Sequence, residues 1–111
     1  METMRIKTEY GDVENVYFRV NHYANNNNLA VHIMCIDEDG VHEPYTSLTT
    51  NIIKLGDNMA CIDTNNLYSD VVSRLENKGM IKNTGNTVPS GYCVYPVYEF
   101  TDKFFNSDYV V

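Results

Sequence analysis

Apolar and polar side chains alternate from Met4 to Val20 with a period of two, a pattern that buries one face of a strand and that no helix can bury. Met4, Ile6 and Thr8 alternate with Arg5, Lys7 and Glu9. After a break at Gly11-Asp12, Val16, Phe18 and Val20 point inward, while Asn15, Tyr17 and Arg19 point out. The run Asn25 to Asn28 reads as a turn, because asparagine tolerates left-handed backbone and bonds its own chain. Leu29 to Ile36 is apolar enough for a central strand. Asp37-Glu38-Asp39-Gly40 is then a strong hairpin signal, since Asp-Gly suits the positive φ angles of a tight turn. The return strand is expected from about Val41 to Ile53, with Pro44 near its start, where a missing N–H is tolerated.

The second half carries weaker signals. Gly56-Asp57-Asn58 predicts a turn and Met59 to Ile62 a short strand. Asp63-Thr64-Asn65-Asn66 offers N-caps for a helix whose apolar stripe is Leu67, Tyr68, Val71, Val72 and Leu75. Lys78 suits the C-terminal dipole and Gly79 the stop. Residues 82–91 read as turn-rich. Tyr92 to Phe100 reads as extended, and Pro96 argues for a sheet edge. At 111 residues there is room for one core. The expectation is one α+β domain over residues 1–111, an antiparallel sheet of about five to six strands with one main helix packed on one face.

Lys plus Arg total 8 against 15 Asp plus Glu, a net charge of −7. A generic duplex-binding protein needs surplus cations, and an anionic membrane surface is disfavoured for the same reason. Met1 to Arg5 shows no signal-peptide pattern, and Leu29 to Ile36 is too short to span a bilayer. Three cysteines without C-x-x-C spacing point to reduced thiols, hence to a cytoplasmic protein. No cofactor, metal or catalytic group is nominated. His22, His32 and His42 lie ten residues apart, which is no ligand spacing, and a calcium loop opened at Asp63 would place Arg74 where a bidentate Glu is required. Cys93 among apolar strand residues reads as packing. Tyrosine, with 9 copies beside no tryptophan, reads first as a strand residue with a wet tip.

Charge geometry is more informative. In an up-and-down meander of four strands, the first and third turns share one end. Glu9, Asp12 and Glu14 then meet Asp37, Glu38, Asp39 and Glu43, and the strand before Asp63 is expected to bring that residue to the same end, with Lys7 the nearest base. Turns two strands apart are separated by roughly 10 Å, comparable to duplex grooves of about 6 to 12 Å.

Four segments carry a family resemblance: Tyr45 to Asn51 (YTSLTTN), Ala60 to Asn66 (ACIDTNN), Gly79, and Ser90 to Phe100 (SGYCVYPVYEF). Together they resemble the DUF4313 family, small proteins of phages, plasmids and conjugative elements. The resemblance covers about Asn21 to Phe100 and implies no activity and no catalytic residues. It implies a mobile-element setting, in which short acidic proteins often inhibit host defence, anti-CRISPR proteins among them. The motif positions also have structural readings: Asp63 to Asn66 as a helix cap, Ser90-Gly91 as a turn, and Asn51 as a partner for loop backbone groups.

The leading expectation is a non-enzymatic, cytoplasmic inhibitor that binds a nucleic-acid-handling defence complex, such as a CRISPR effector nuclease, through carboxylates placed where phosphates would sit. It is not expected to bind nucleic acid or membrane itself. The alternatives are a small-molecule or nucleotide-signal binding module, and an assembly protein of the mobile element. Tyr92, Tyr95 and Tyr98 form a secondary candidate surface, and the edge they lie on is expected to offer a site for homodimerisation.

Overall fold

The computed structural model describes residues 1–65 and 69–111. Alternation in the first third produces four antiparallel strands: β1 (Met4–Thr8), β2 (Gly11–His22), β3 (Leu29–Ile36) and β4 (His42–Ser47), in the meander order β1-β2-β3-β4. The β2–β3 register runs without a break from Val16↔Cys35 to His22↔Leu29. It aligns Val16, Phe18, Leu29, Val31 and Ile33 on the core side. Strand β3 is buried on its outer face as well, at Ala30 and Met34, as its nearly continuous apolar run requires. Tyr17, expected to point into solvent, lies on that outer face but is 2% exposed. Its hydroxyl and His42 Nδ1 are 2.8 Å apart, and the two rings meet edge to face.

The expected strand from Val41 to Ile53 does not continue; it breaks at Leu48 and changes sheets. The fully buried Leu48 donates its N–H to the Val31 carbonyl at 2.9 Å, and Thr49 Oγ1 accepts the Val31 N–H at 3.1 Å. A side-chain hydroxyl therefore takes the place of a ladder carbonyl, which lets the backbone leave β3. Residues Thr49–Thr50 become β5 of a second antiparallel sheet, with β6 (Met59–Ile62), β7 (Ile81–Ser90) and β8 (Cys93–Phe100) in the order β5-β6-β8-β7. One sheet of five to six strands is thus replaced by two sheets of four.

Two further expectations change here. The turn-rich stretch 82–91 is mostly strand β7, because the β8 backbone supplies its hydrogen bonds and Ile81 and Val88 its buried side chains. Its turn residues form a bulge between Asn83 and Thr87, with Gly85 at φ +82°. Strand β8 is not an edge: it runs between β6 and β7. Pro96 is tolerated because the β6 ladder ends at Cys61↔Val97, one residue short of the proline. The dimer edge expected at Tyr92 to Phe100 is therefore occupied over Val97 to Glu99 by β6.

The helix α1 (Ser69–Asn77) buries Val71, Val72 and Leu75 as the stripe predicts. Asn66, Leu67 and Tyr68, part of the expected cap and first turn, lie outside the described residues. Gly79, at φ +71°, closes the helix: its N–H reaches the Glu76 carbonyl and the Met80 N–H reaches the Leu75 carbonyl, a Schellman pair. Asp70 Oδ2 accepts the Lys7 N–H at 2.7 Å and Arg74 Nε–H at 2.8 Å, pinning α1 to β1. After β8, a short helix α2 (Asp102–Phe105) sets Phe104 against Phe18 and Phe100. Val110 then bridges Phe18 in parallel. The segment 109–111 takes up the β2 backbone beyond Val16, where β1 ends. Ile6, Phe18 and Ile33 from the first sheet, Ile62 and Phe100 from the second, Leu75 and Phe104 join one cluster.

Two measurements test these contacts. Thr49→Val keeps the shape but leaves the buried Val31 N–H without its acceptor, so urea denaturation should show a loss of about 1–3 kcal/mol. Burial raises the Asp70 carboxyl, but the Lys7 N–H, the Arg74 bond and both cationic charges outweigh it and hold the group below the usual carboxylate range. A depressed folded-state value contributes stability above the unfolded carboxyl range and loses it as pH falls through the folded value. Stability should accordingly fall more steeply below about pH 4 in the parent than in Asp70→Asn, read as denaturation midpoints across pH.

Candidate acidic interface

The meander sends the β1–β2 and β3–β4 turns to the same end of the first sheet. At the first turn Thr8 Oγ1 donates to the Gly11 carbonyl and accepts the Tyr10 N–H. Gly11, at φ +115°, adopts backbone that a residue with a Cβ would strain to reach. At the other turn Asp37 Oδ1 accepts two N–H groups, from Asp39 and Val41, both at 2.9 Å. Its carbonyl accepts the Gly40 N–H, and Gly40 lies at φ +79°. Asp37 therefore shapes the hairpin in addition to charging it.

Glu9, Asp12, Glu14, Asp37, Glu38, Asp39 and Glu43 are all exposed, on or beside these two turns. Arg5, not Lys7, is the base among them: its Nε lies 2.8 Å from Glu14 Oε1 and its Nη1 3.8 Å from Asp12 Oδ2. A bulge in β2, with Asn15 at φ +56°, sets the register beside these residues. The Lys7 charge acts instead on Asp70. Glu9, Asp37, Glu38, Asp39 and Glu43 have no ion pair among the described residues. Cys35, at the same end of β3, registers the field: burial raises its thiol, and the Glu43 and Asp37 carboxylates raise it further.

Asp63 is not at this end. Its N–H bonds the Leu48 carbonyl, so it sits at the sheet crossing beside Val31, five residues along β3 from Ile36. That is roughly 17 Å at strand rise. The displacement follows directly from the broken return strand. The tyrosine surface also divides. Tyr92 is fully exposed at the β7–β8 turn, and Tyr95 packs beside Cys61, Val88 and Val97. Tyr98 is 6% exposed in the main core, its hydroxyl donating to Glu76 Oε1, with burial and then Glu76 pushing it up. A separation of three along a strand puts Tyr95 and Tyr98 on opposite faces. Sequence reasoning missed Tyr10, 93% exposed between Glu9 and Gly11, and the exposed Val41 beside Gly40. Apolar residues inside turns were the available signal.

The opposite end of the first sheet is built from amides. Asn51 Oδ1 accepts from Asn26 and Asn28, and its own amide donates to Asn25. The loop-backbone role expected for Asn51 falls to Asn28, which donates to the Ile53 carbonyl and accepts the Leu55 N–H. A cleft of about 210 Å³ opens beside this network. Among the described residues no group of three His, Cys, Asp or Glu is placed to hold a metal ion, and no helix is long and apolar enough to cross a membrane.

Residues 17–108 match the family model described as Domain of unknown function (DUF4313), and the chain belongs to that family. No curated protein and no solved structure matches it. The Asp37–Val41 turn lies inside the matched segment; β1 and the Glu9–Tyr10 turn precede it.

The double acceptor role of Asp37 has a measurable consequence. Asp37→Ala strips both N–H partners from the hairpin and should cost about 1–2 kcal/mol, while Asp37→Asn, whose Oδ1 can still accept, should stay within about 0.5 kcal/mol of the parent. Urea midpoints of the two variants check this.

Proposed function

We propose that this DUF4313 protein acts without catalysis, as a binding protein whose acidic end occupies a cationic protein surface of the kind that holds nucleic acid. The observation that carries the reading is the cluster of five exposed carboxylates that have no ion pair among the described residues, Glu9, Asp37, Glu38, Asp39 and Glu43, on two turns at one end of a sheet. With two strand spacings of about 10 Å between the turns, their charges lie on the scale at which phosphates lie across a groove. A basic channel that attracts a polyanion attracts such an end too, and like charges keep it away from nucleic acid. Tyr10 and Val41 add one exposed apolar residue to each turn, and interfaces place such residues within a charged rim. The setting we propose for this chemistry is inhibition of a host nucleic-acid-handling defence complex, such as a CRISPR effector, by a mobile element.

The test has two parts. Affinity capture from host cells should recover a basic, nucleic-acid-binding protein, and expression of the chain should protect a plasmid from an active CRISPR system. The triple change Asp37→Asn, Glu38→Gln, Asp39→Asn should weaken the captured interaction at least about tenfold at low salt, a loss of about 1.4 kcal/mol, without lowering the urea midpoint. Binding should also fall with rising salt, since charges beyond about 8 to 10 Å are screened at ordinary ionic strength. Lys82→Gln, on β7, should leave affinity unchanged. A triple variant with parental affinity and salt slope would sink the reading.

A further inference from the structure

The cleft at the amide end is lined by His22, Asn27, Leu29, Lys54, Gly56, Asp57 and Asn58, of which all but Leu29 are exposed. Its walls are fixed. The loop carrying Lys54, Asp57 and Asn58 is tied to the loop carrying Asn27 through Asn28, which bonds Ile53 and Leu55. Asn51, bonded to Asn25, Asn26 and Asn28, adds a second tie. The Met59 N–H to the Gly56 carbonyl and the Phe100 N–H to the Asn58 carbonyl hold the far side. In that neighbourhood Asn25, Asn26, Asn28 and Asn51 are all consumed by the fold. Among the described residues, by contrast, no hydrogen bond or ion pair engages the side chains of His22, Asn27, Lys54, Asp57 or Asn58. Among the described residues three non-glycines have positive φ, and two of them, Asn27 at +61° and Asn58 at +62°, line this one cleft. Asparagine reaches left-handed backbone more easily than other residues with a Cβ, which lets both loops turn tightly at the cleft wall.

We propose that this cleft binds a small zwitterionic metabolite of the amino-acid class. The Lys54 ammonium and the His22 ring take its carboxylate, the Asp57 carboxylate takes its ammonium, and the two asparagine amides complete the polar shell. The paired opposite charges select this class. The cleft, about 210 Å³, has room for a molecule of amino-acid size. A simple anion would meet Asp57 and a simple amine would meet Lys54, whereas a molecule carrying both charges answers both. The site lies at the opposite end from the acidic turns, so its occupancy is independent of the reading above.

Amide chemical-shift titrations by NMR with glycine, L-serine and L-glutamine, set against glycolate and ethylamine as half-ligands, test this. At least one zwitterion should give saturable shifts at Asn27, Leu29, Lys54 and Asp57, and each half-ligand should bind at least about tenfold more weakly. Lys54→Met should weaken the zwitterion about tenfold. Asp57→Asn should do the same while leaving glycolate unaffected or tighter. Asn58→Gly keeps the left-handed backbone available and should lower affinity without lowering the urea midpoint. The absence of saturable shifts in the cleft with every zwitterion, at concentrations well above millimolar, would overturn the proposal. So would glycolate binding as tightly as serine with Asp57→Asn affecting neither.

Discussion

Val31 holds the two sheets together. Its carbonyl takes the Leu48 N–H and its own N–H goes to Thr49 Oγ1, so a single residue of β3 uses both backbone groups to receive a chain that is leaving the sheet. An unmade bond at a fully buried backbone group costs more than a made bond contributes. That asymmetry locks the crossing, and much of the fold follows from it. Leu48 enters the common core, β5 opens the second sheet, and β6 is drawn beside Thr49 and Thr50. Tyr23 strengthens the same point, its hydroxyl lying within 3.3 Å of both oxygens of Thr49.

The crossing also makes the two ends of the first sheet chemically different. Because β4 stops at Ser47, the chain from Asn51 to Asn58 folds back over the loop between β2 and β3, and amide pairs replace charge there. At the other end the carboxylates of the hairpins are exposed to water, where repulsion between them is screened and cheap. Arg5 offsets two of them locally at Asp12 and Glu14. The rest of the charge concentrates towards the Asp37–Gly40 hairpin, whose conformation depends on one of its own acids.

Legibility followed the range of the forces involved. Strands β1 to β4 and the helix stop were readable because alternation, Asp-Gly and a lysine followed by glycine are local signals. Strand β7 was not. Asn83, Thr84, Gly85 and Asn86 carry turn chemistry, and only pairing with β8 at both ends turns them into a bulged strand. The crossing at Leu48 was illegible for the same reason: Ser47-Leu48-Thr49-Thr50 is good strand sequence, and what redirects it is a hydroxyl meeting a distant N–H. Seven of the eight predicted acidic residues needed only the rule that alternate turns of a meander share an end. Asp63 needed the strand before it to be placed correctly, and it was lost with the crossing. Arg5 escaped notice because its pairing depends on the bulge at Asn15, a property of register rather than of composition.

The placement of sheet edges then bears on how such a chain can associate. The β2 backbone beyond Val16 is taken up by residues 109–111. Strand β4 carries Pro44 and a register shift opposite Ile33 and Met34, while β7 carries a bulge, Lys82 and Pro89. Each of these features spoils the flat row of N–H and C=O groups that strand addition needs. Strand β1, the other flank of the first sheet, gives its Lys7 N–H to Asp70, and β5, the other flank of the second, is two residues long. Backbone pairing along these edges is therefore disfavoured from several directions at once. The sheet ends are where side-chain chemistry is dense and exposed, with carboxylates, Tyr10 and Val41 at one and an amide-walled cleft at the other. The fold therefore leaves its exposed side-chain chemistry at the ends of the strands rather than along their edges.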